Sequence, residues 1–495
     1  MRVFLVGMMG SGKSTVGKLL ARSLGMGFFD TDEEIERREG KSITQIFKDE
    51  GEEYFRKLEK SLLKEILNSD NVVVATGGGV VLDPENRTLL QREKTVFLYA
   101  SVEALVKRVD PTVRPLIAAG EVEKKLRDIW EKRRHFYMEF PQVNTENLNP
   151  MEVVAKVALK VFDEDPIEIP NSVHPVFIGK GIFNRVSREE HVFTTKNVFR
   201  IYGDCFPGSA YILPDGEVVK SFDYVRRCYD HLIENDVSKG NTITAVGGGA
   251  LTDMVGFVAA TFKRGIGVRF FPTTLLAQVD AAIGGKNGID HAGIKNVIGT
   301  VRMPDEVMID PLVLLSLDDE RYREGLVELF KMCLLSGRGY ETFREKMKEI
   351  LKRRVDVLQE LITVAVEEKL KVVSLDHNDT GIRKILNLGH TVGHVVEVLS
   401  GVSHGFAVAV GIDRELRFFV RKGMIEKSLY EEVKEILSRL FESLEMDFSQ
   451  DRVMKTLLND KKATADSLID MPLLLRPGEV SMVKVRPEEL AEVIV

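Results

Sequence analysis

Residues 7–14, GMMGSGKS, fit the pattern GxxxxGK[ST]. In that spacing Gly7, Gly10 and Gly12 let the backbone curl until its N–H groups face phosphate oxygens. Lys13 then reaches the terminal phosphates and Ser14 offers its hydroxyl to Mg2+, with Ser11 and Thr15 as loop neighbours. The chemistry is nucleotide binding. A second group lies far along the chain. His390 and His394 are four residues apart, on one helical face, and His404 follows a short loop. Neutral imidazoles with a carboxylate, for which Glu328 is a candidate, can hold a catalytic divalent ion with one position open. An HxxxH pair by itself more often packs or caps.

Two glycine triplets look like copies: ATGGGVVLD (75–83) and AVGGGALTD (245–253). No repeat extends beyond them, and their flanks differ, so duplication is disfavoured. The second sits in a strand–turn–helix pattern that suits a pyrophosphate at a helix N-terminus. Downstream, Arg264, Lys286, Lys295 and Asn296, with Asp280, occur in glycine-rich stretches that read as loops. Cations among glycines point to capture of a phosphate. Asp30 and Asp32 close a strand near the first site. Acids there hold Mg2+ or accept protons from hydroxyls, and equally serve as helix caps. Arg56 taken alone reads as a surface residue. The stretch DPTVRPLIAAGE (110–121), with Arg114, reads as a flap.

These residues need scaffolds to bring them together. RVFLVG, MGFFD, NVVVAT and TVFLYA read as strands, and 52–67 and 121–138 have helical periodicity. The alternation predicts an α/β fold: a parallel sheet flanked by helices over 1–162. DEDPIEIPNS makes 163–172 a linker. Residues 173–317 read as a second α/β part, Rossmann-like, and 318–495 as an all-helical part. The chain has 495 residues, 44% hydrophobic and 29% charged, values expected of a soluble protein of more than one domain. A net charge of −7 argues against nucleic acid as partner. No apolar run reaches a membrane span. Cys205, Cys228 and Cys333 have no CxxC spacing, which fits a reducing cytoplasm.

Residues 1–162 resemble the shikimate kinase family. The resemblance implies ATP and Mg2+ on Lys13 and Ser14, with Asp30 supporting the metal and Arg108 near adenine. It implies Asp32 on the acceptor's hydroxyls, Arg56 and Arg133 on its carboxylate, Gly78 and Gly79 as backbone contacts, and Arg114 on the transferring phosphate. From about 175 onward the motifs resemble 3-dehydroquinate synthase. That resemblance implies Glu328, His390 and His404 as ligands of Zn2+ (or Co2+), with His394 as a polar group and not a ligand. It places NAD on Gly247, Gly248, Gly249 and Asp253, its ribose near Glu217 and Lys220, and the nicotinamide near Thr273 and Thr274. A phosphorylated sugar acid then lies among Arg264, Asp280, Lys286, Lys295, Asn296, Lys331, Lys369, Asp379, Arg383, Asn387 and Lys461, or Lys462 in its stead. The chain departs from that family at Thr252, where glycine is usual, at Asp379 for glutamate and at Val327 for alanine.

The expectation is a bifunctional enzyme of aromatic-precursor biosynthesis acting on small molecules, with a homodimer through the synthase part. The competing reading is a small-metabolite kinase fused to a metal-dependent alcohol dehydrogenase. A dense set of cations favours a phosphorylated substrate. The triplets are then convergent: one lets backbone approach a hydroxy-acid, the other a dinucleotide.

Overall fold

The computed structural model describes residues 1–108, 122–206, 210–377, 379, 381–460 and 468–494, with the side chains of 458–460 excepted. Contacts divide the chain into two units, Met1–Glu164 with Lys352–Val355, and Asp165–Leu351 with Asp356–Val495. Arg114 and Lys461, with Lys462, lie outside the described residues.

The first unit runs β1 (Arg2–Val6), α1 (Lys13–Leu24), β2 (Gly27–Asp30), α2 (Thr31–Glu39), α3 (Ile43–Asp49), α4 (Glu52–Ile66) and β3 (Val72–Ala75). It continues with α5 (Pro84–Gln91), β4 (Lys94–Tyr99), α6 (Val102–Arg108), α7 (Val122–Tyr137), β5 (Gln142–Asn144) and α8 (Pro150–Val161). The strands form one parallel sheet in the order β2-β3-β1-β4-β5. All four residues of β3 are buried, as expected where helices cover both faces. The loop after β1 and the glycine triplet after β3 both leave the C-terminal ends of neighbouring central strands. In parallel sheets that edge forms the ligand crevice.

The second unit opens with β6 (Ile167–Glu168), β7 (Val176–Ile178), β8 (His191–Thr195), α9 (Lys196–Tyr202), β9 (Tyr211–Leu213) and α10 (Phe222–Glu234). Then come β10 (Thr242–Gly247), α11 (Gly249–Thr261), β11 (Gly267–Pro272), β12 (Lys286–His291), β13 (Ile294–Val301) and β14 (Glu306–Ile309). Seven strands order as β6-β7-β14-β11-β10-β8-β9, all parallel except β6, which runs antiparallel to β7. Within 163–172, therefore, Ile167–Glu168 forms a sheet edge and Ile169 is buried. The helical part is α12 (Asp319–Ser336), α13 (Tyr340–Glu345), α14 (Met347–Leu351), α15 (Val355–Leu375), α16 (His390–Ser400), α17 (His404–Arg421), α18 (Lys427–Leu440) and α19 (Gln450–Asp460). The hairpin β15 (Ile469–Arg476) and β16 (Glu479–Val485) follows, then α20 (Pro487–Ile494).

Two expectations need correction here. The part expected to be all helical carries the β15–β16 hairpin, whose buried strand packs among the helices. The stretch around Lys286, Lys295 and Asn296, expected as loops, is the β12–β13 hairpin. Its glycines read as loop punctuation. Gly293 (φ 78°) makes the turn, and Gly299 lies so close to the paired strand that a Cβ would fall 2.4 Å from the Asn287 carbonyl oxygen.

Candidate active sites

In the first unit the buried strand β1 delivers a loop with three left-handed glycines: Gly7 (φ 150°), Gly10 (φ 79°) and Gly12 (φ 95°). Gly7 admits no side chain, because a Cβ would sit 2.6 Å from the Leu98 carbonyl oxygen. Lys13 curls back over the loop, donating to the carbonyls of Gly7 (2.8 Å) and Met8 (3.0 Å). Ser14 donates to Oδ2 of Asp30 at 2.6 Å. The other oxygen of Asp30 accepts from the backbone of Asp32 and Glu33, so one carboxylate both caps α2 and holds the Ser14 hydroxyl. Arg108 is pinned to Thr145, donating to its Oγ1 at 2.8 Å and its carbonyl at 2.9 Å.

The first glycine triplet forms the floor of an adjacent subsite. A Cβ on Gly77 would lie 2.6 Å from both Asp32 Oδ1 and Glu59 Oε1, and one on Gly79 would overlap the Arg56 guanidinium at 2.2 Å. The Gly78 carbonyl accepts from Arg133 (2.8 Å) and from the Tyr137 hydroxyl (2.5 Å). Asp32, Arg56 and Arg133 therefore converge on Gly77–Gly79. Glu59 and Tyr137 join them, and neither was singled out from the sequence. Glu59 follows Arg56 by three residues, so the helical spacing was a usable signal.

Glu59 is 2% exposed, and Arg56 donates to its Oε2 at 2.7 Å. Burial pushes its carboxyl from 4.5 up to about 7, against the pull of Arg56 and Arg133 and with help from Asp32. The unfolded chain releases this proton near 4.5 and the folded unit near 7. The stability this group contributes is thus complete below the first value and lost as pH climbs through the second. Thermal unfolding of the first unit between pH 5 and 8 is expected to show a fall of about 2–3 kcal/mol that Glu59→Gln removes. Parallel pH profiles for the two proteins count against it.

In the second unit β10 ends at Gly247, and α11 begins at Gly249 at the point where the strand order reverses. A Cβ on Gly248 would stand 3.0 Å from the Thr274 methyl, and one on Gly249 3.0 Å from the Ala281 methyl. Thr273 donates its N–H to the Gly247 carbonyl at 2.9 Å, while the Thr274 hydroxyl accepts from the Ala277 N–H at 3.2 Å. Thr273 thus braces the turn, while the Thr274 hydroxyl caps the helical turn that follows it. Thr252 is buried and donates to the Gly249 carbonyl at 3.0 Å. Lys220 bonds Asp253 at 2.7 Å and also Asn296, with Glu217 3.9 Å away. Burial lifts the Asp253 carboxyl to about 6 despite Lys220.

Five further cations are likewise matched to an acceptor. Lys286 bonds Asp379 at 2.5 Å, Lys295 bonds Glu397 at 2.5 Å, and Lys369 bonds Asp280. Lys331 lies 2.6 Å from Glu328, one turn away on α12, both wholly buried. Arg383 is 2% exposed and donates to the carbonyls of Gly284 (3.1 Å) and His377 (3.3 Å). Asn387 ends the 3-10 turn Ile382–Asn387, two residues before Gly389 and α16.

Glu328, His390 and His404 converge, with ligand atoms all within 4.8 Å of one another. Glu328 Oε1 is 3.4 Å from His390 Nε2 and 3.6 Å from His404 Nε2. Nδ1 of His390 faces the Leu388 carbonyl at 3.2 Å, and Nδ1 of His404 faces Glu397 at 3.3 Å. Placing the protons on Nδ1 leaves two Nε2 lone pairs and a carboxylate oxygen turned toward one point, an arrangement that calls for a cation. Neither Glu328 oxygen accepts a well-aligned hydrogen bond although the residue is buried. Burial drives His390 down to about 3, so it stays neutral, as a ligand must, whereas at His404 burial is outweighed by Glu328 and Glu397, which raise it to about 10, a proton that a bound ion has to displace. His394 lies beside the triad, its ring centre 5.5 Å from that of His390.

The backbone fixes this geometry. His390 and His404 are the first residues of α16 and α17. Glu415 on α17, fully buried, accepts from the N–H groups of Gly389 (2.8 Å) and Val392 (3.1 Å) and so caps α16. No sequence signal marked it, because its partners lie 23 and 26 residues away. Arg264, expected among the substrate residues, lies at the other end of α11 from the glycine turn of its own chain. It follows α11, whose 13 residues separate it by roughly 20 Å of helix from the glycine turn. It is exposed and left-handed (φ 62°).

Comparisons with known proteins agree with this division. Residues 9–162 match the family model for shikimate kinase. Residues 210–324 and 325–463 match those for the N-terminal and C-terminal parts of 3-dehydroquinate synthase. A bifunctional shikimate kinase/3-dehydroquinate synthase from Thermotoga maritima is 52% identical over 498 residues, covering 100% of both chains. A 3-dehydroquinate synthase from Pyrobaculum aerophilum is 37% identical over 289 residues, 58% of this chain and 84% of that one. Among solved structures, 2-epi-5-epi-valiolone synthase from Streptomyces hygroscopicus, with NAD+ and Zn2+ bound, superposes with a TM-score of 0.60 at 21% identity, over 67% of this chain and 98% of that one. 2-Deoxy-scyllo-inosose synthase, complexed with carbaglucose-6-phosphate, NAD+ and Co2+, gives 0.59 at 21%, over 67% and 99%. Fold and sites together define a two-headed enzyme, a P-loop phosphotransferase followed by an α/β-plus-helical synthase. The chain belongs to the family of bifunctional shikimate kinase/3-dehydroquinate synthases.

Proposed function

We propose that the first unit phosphorylates shikimate with ATP and Mg2+. The second converts 3-deoxy-D-arabino-heptulosonate 7-phosphate to 3-dehydroquinate and phosphate. The observation that carries the second assignment is the convergence of Glu328, His390 and His404 in the unit that also holds a dinucleotide-type glycine turn and an array of buried or paired cations.

In the kinase, Gly7–Thr15 cradles the nucleotide phosphates, Lys13 neutralises them, and Ser14 and Asp30 serve Mg2+. Arg56 and Arg133 hold the shikimate carboxylate, Asp32 aligns the attacking hydroxyl, and Gly78 and Gly79 let the ring lie against backbone. Arg108 borders the adenine and Arg114 the transferring phosphate.

In the synthase, the buried Glu328 carboxylate, its Oε1 facing two inward Nε2 atoms, fits a divalent ion such as Zn2+ or Co2+. The glycine turn at Gly247–Gly249, which opens α11 without a side chain, fits NAD together with Asp253, Glu217 and Lys220. Bound together, ion and dinucleotide supply Lewis acidity and reversible hydride uptake. The chain's own residues do the rest. Lys286, Lys295, Asn296, Lys369, Arg383, Asn387 and either Lys461 or Lys462 orient the phosphate and carboxylate of the substrate. Asp280 and Asp379 hold their lysines extended until the substrate's anionic groups compete for them. His394 is placed to hold a proton at the substrate hydroxyls, and Lys331 balances the buried Glu328. Thr273 and Thr274 set the nicotinamide side of the turn.

We assign residues 1–162 to the kinase, 163–172 to the connection, 173–317 to the dinucleotide part and 318–495 to the metal and substrate part, in a cytoplasmic homodimer. Sedimentation analysis tests the dimer. The activity test supplies the heptulosonate phosphate with catalytic NAD and Zn2+ and follows free phosphate and NADH together. Stoichiometric phosphate without net NADH supports the reading. Steady NADH from a simple alcohol, without phosphate, replaces it with the dehydrogenase.

A further inference from the structure

Glu397 has no part in the roles assigned above. It lies on α16 seven residues after His390 and three after His394, on the same helical face. Its side chain is 13% exposed, and its two oxygens serve different partners. Oε2 is 3.3 Å from Nδ1 of His404, and Oε1 accepts from the Lys295 ammonium at 2.5 Å. Lys295 belongs to β13, a strand otherwise turned mostly to solvent.

An imidazole that offers Nε2 to an ion must keep its proton on Nδ1. A carboxylate accepting that N–H fixes both tautomer and ring rotation, and makes the ring a stronger donor. Of the two candidate ligands, His404 needs this more. It is 35% exposed against 12% for His390, whose Nδ1 already faces the Leu388 carbonyl. The second oxygen has a separate consequence. An exposed lysine paired with an exposed acid contributes little, because water screens both charges. Here the acid is nearly buried and held from behind, so Lys295 is drawn to the rim of the triad.

We propose that Glu397 is a positioning residue that holds His404 in the Nδ1–H tautomer with Nε2 aimed at the ion, and with its other oxygen sets Lys295 beside the same site. The inference rests on reading Glu328, His390 and His404 as the ion's ligands. Its test uses the full chain loaded with Co2+. Cobalt affinity is measured by chelator competition, the coordination by visible absorption, and KM and kcat with the heptulosonate phosphate.

Glu397→Gln is expected to weaken cobalt binding by about 10- to 100-fold and to shift the absorption band. Lys295→Met is expected to raise KM while leaving affinity and band as in the wild type. Glu397→Asp, which keeps the charge but withdraws it by one methylene, weakens cobalt in the same direction and serves if the glutamine variant does not fold. Wild-type affinity and an unchanged band in a folded Glu397 variant overturn the inference while the metal reading stands. A wild-type chain that binds no cobalt overturns both.

Discussion

Glu328→Gln is expected to lower phosphate release from the heptulosonate phosphate by roughly 10³-fold, about 4 kcal/mol of transition-state stabilisation, and to leave shikimate phosphorylation unchanged. The substitution keeps the shape of the side chain and removes its charge. It also puts an amide where two imidazole nitrogens and an oxygen face one another at 3.4–3.6 Å. One cost is separate from ligation. Lys331, 1% exposed, loses the partner 2.6 Å away and becomes an uncompensated buried ammonium. The double variant Glu328→Gln with Lys331→Met separates the two effects. It is expected to recover thermal stability without recovering zinc content or activity. Zinc retained at wild-type stoichiometry in the single variant would mean that Glu328 is no ligand.

What could be read from the sequence divides along the range of the interactions. The phosphate loop was legible because glycines, lysine and serine all act within residues 7–14, and because β1 and α1 flank it in the same short window. The histidines of the triad were legible as a cluster, since four-residue spacing has one meaning on a helix. Their selection as ligands came from the family resemblance, since spacing treats His390 and His394 alike. The hairpin β12–β13 was hidden by its own glycines, needed for a tight turn and close strand contact but written in the code of loops. The pairing of each lysine with an acid was hidden too. Lys286 and Asp379 are 93 residues apart, and Lys295 and Glu397 are 102 apart. No local pattern announces a contact of that range. Arg264 is a separate case: its position next to glycine suggested a phosphate loop, and in the structure it follows the C-terminal end of α11, the end away from the glycine turn of its own chain.

Gly411→Ala tests the packing that aligns the triad. A Cβ at 411 would lie 1.8 Å from the Gly389 carbonyl oxygen and 2.9 Å from the Gly393 nitrogen. Both obstacles are backbone, so no side chain can turn aside, and α16 and α17 must separate by more than an ångström. His390 and His404 open those two helices, so separation moves the ligands apart, while zinc tolerates only ~0.2 Å in its bond lengths. The same shift draws Glu415, one turn beyond Gly411, away from the N–H groups of Gly389 and Val392 that it caps. Overpacking of this kind costs about 1–3 kcal/mol, and a lost buried cap adds to it. We expect the second unit to melt several degrees earlier, about 2–4 °C for each kcal/mol lost. Zinc affinity should fall by about 10- to 100-fold, and synthase activity with it, while the kinase is unaffected. Gly240→Ala is the control, since a Cβ there meets nothing within 4 Å. Metal content after dialysis against a chelator is the deciding measurement. If Gly411→Ala keeps its zinc as firmly as Gly240→Ala does, the close approach of α16 and α17 is not what sets the distance between the histidines.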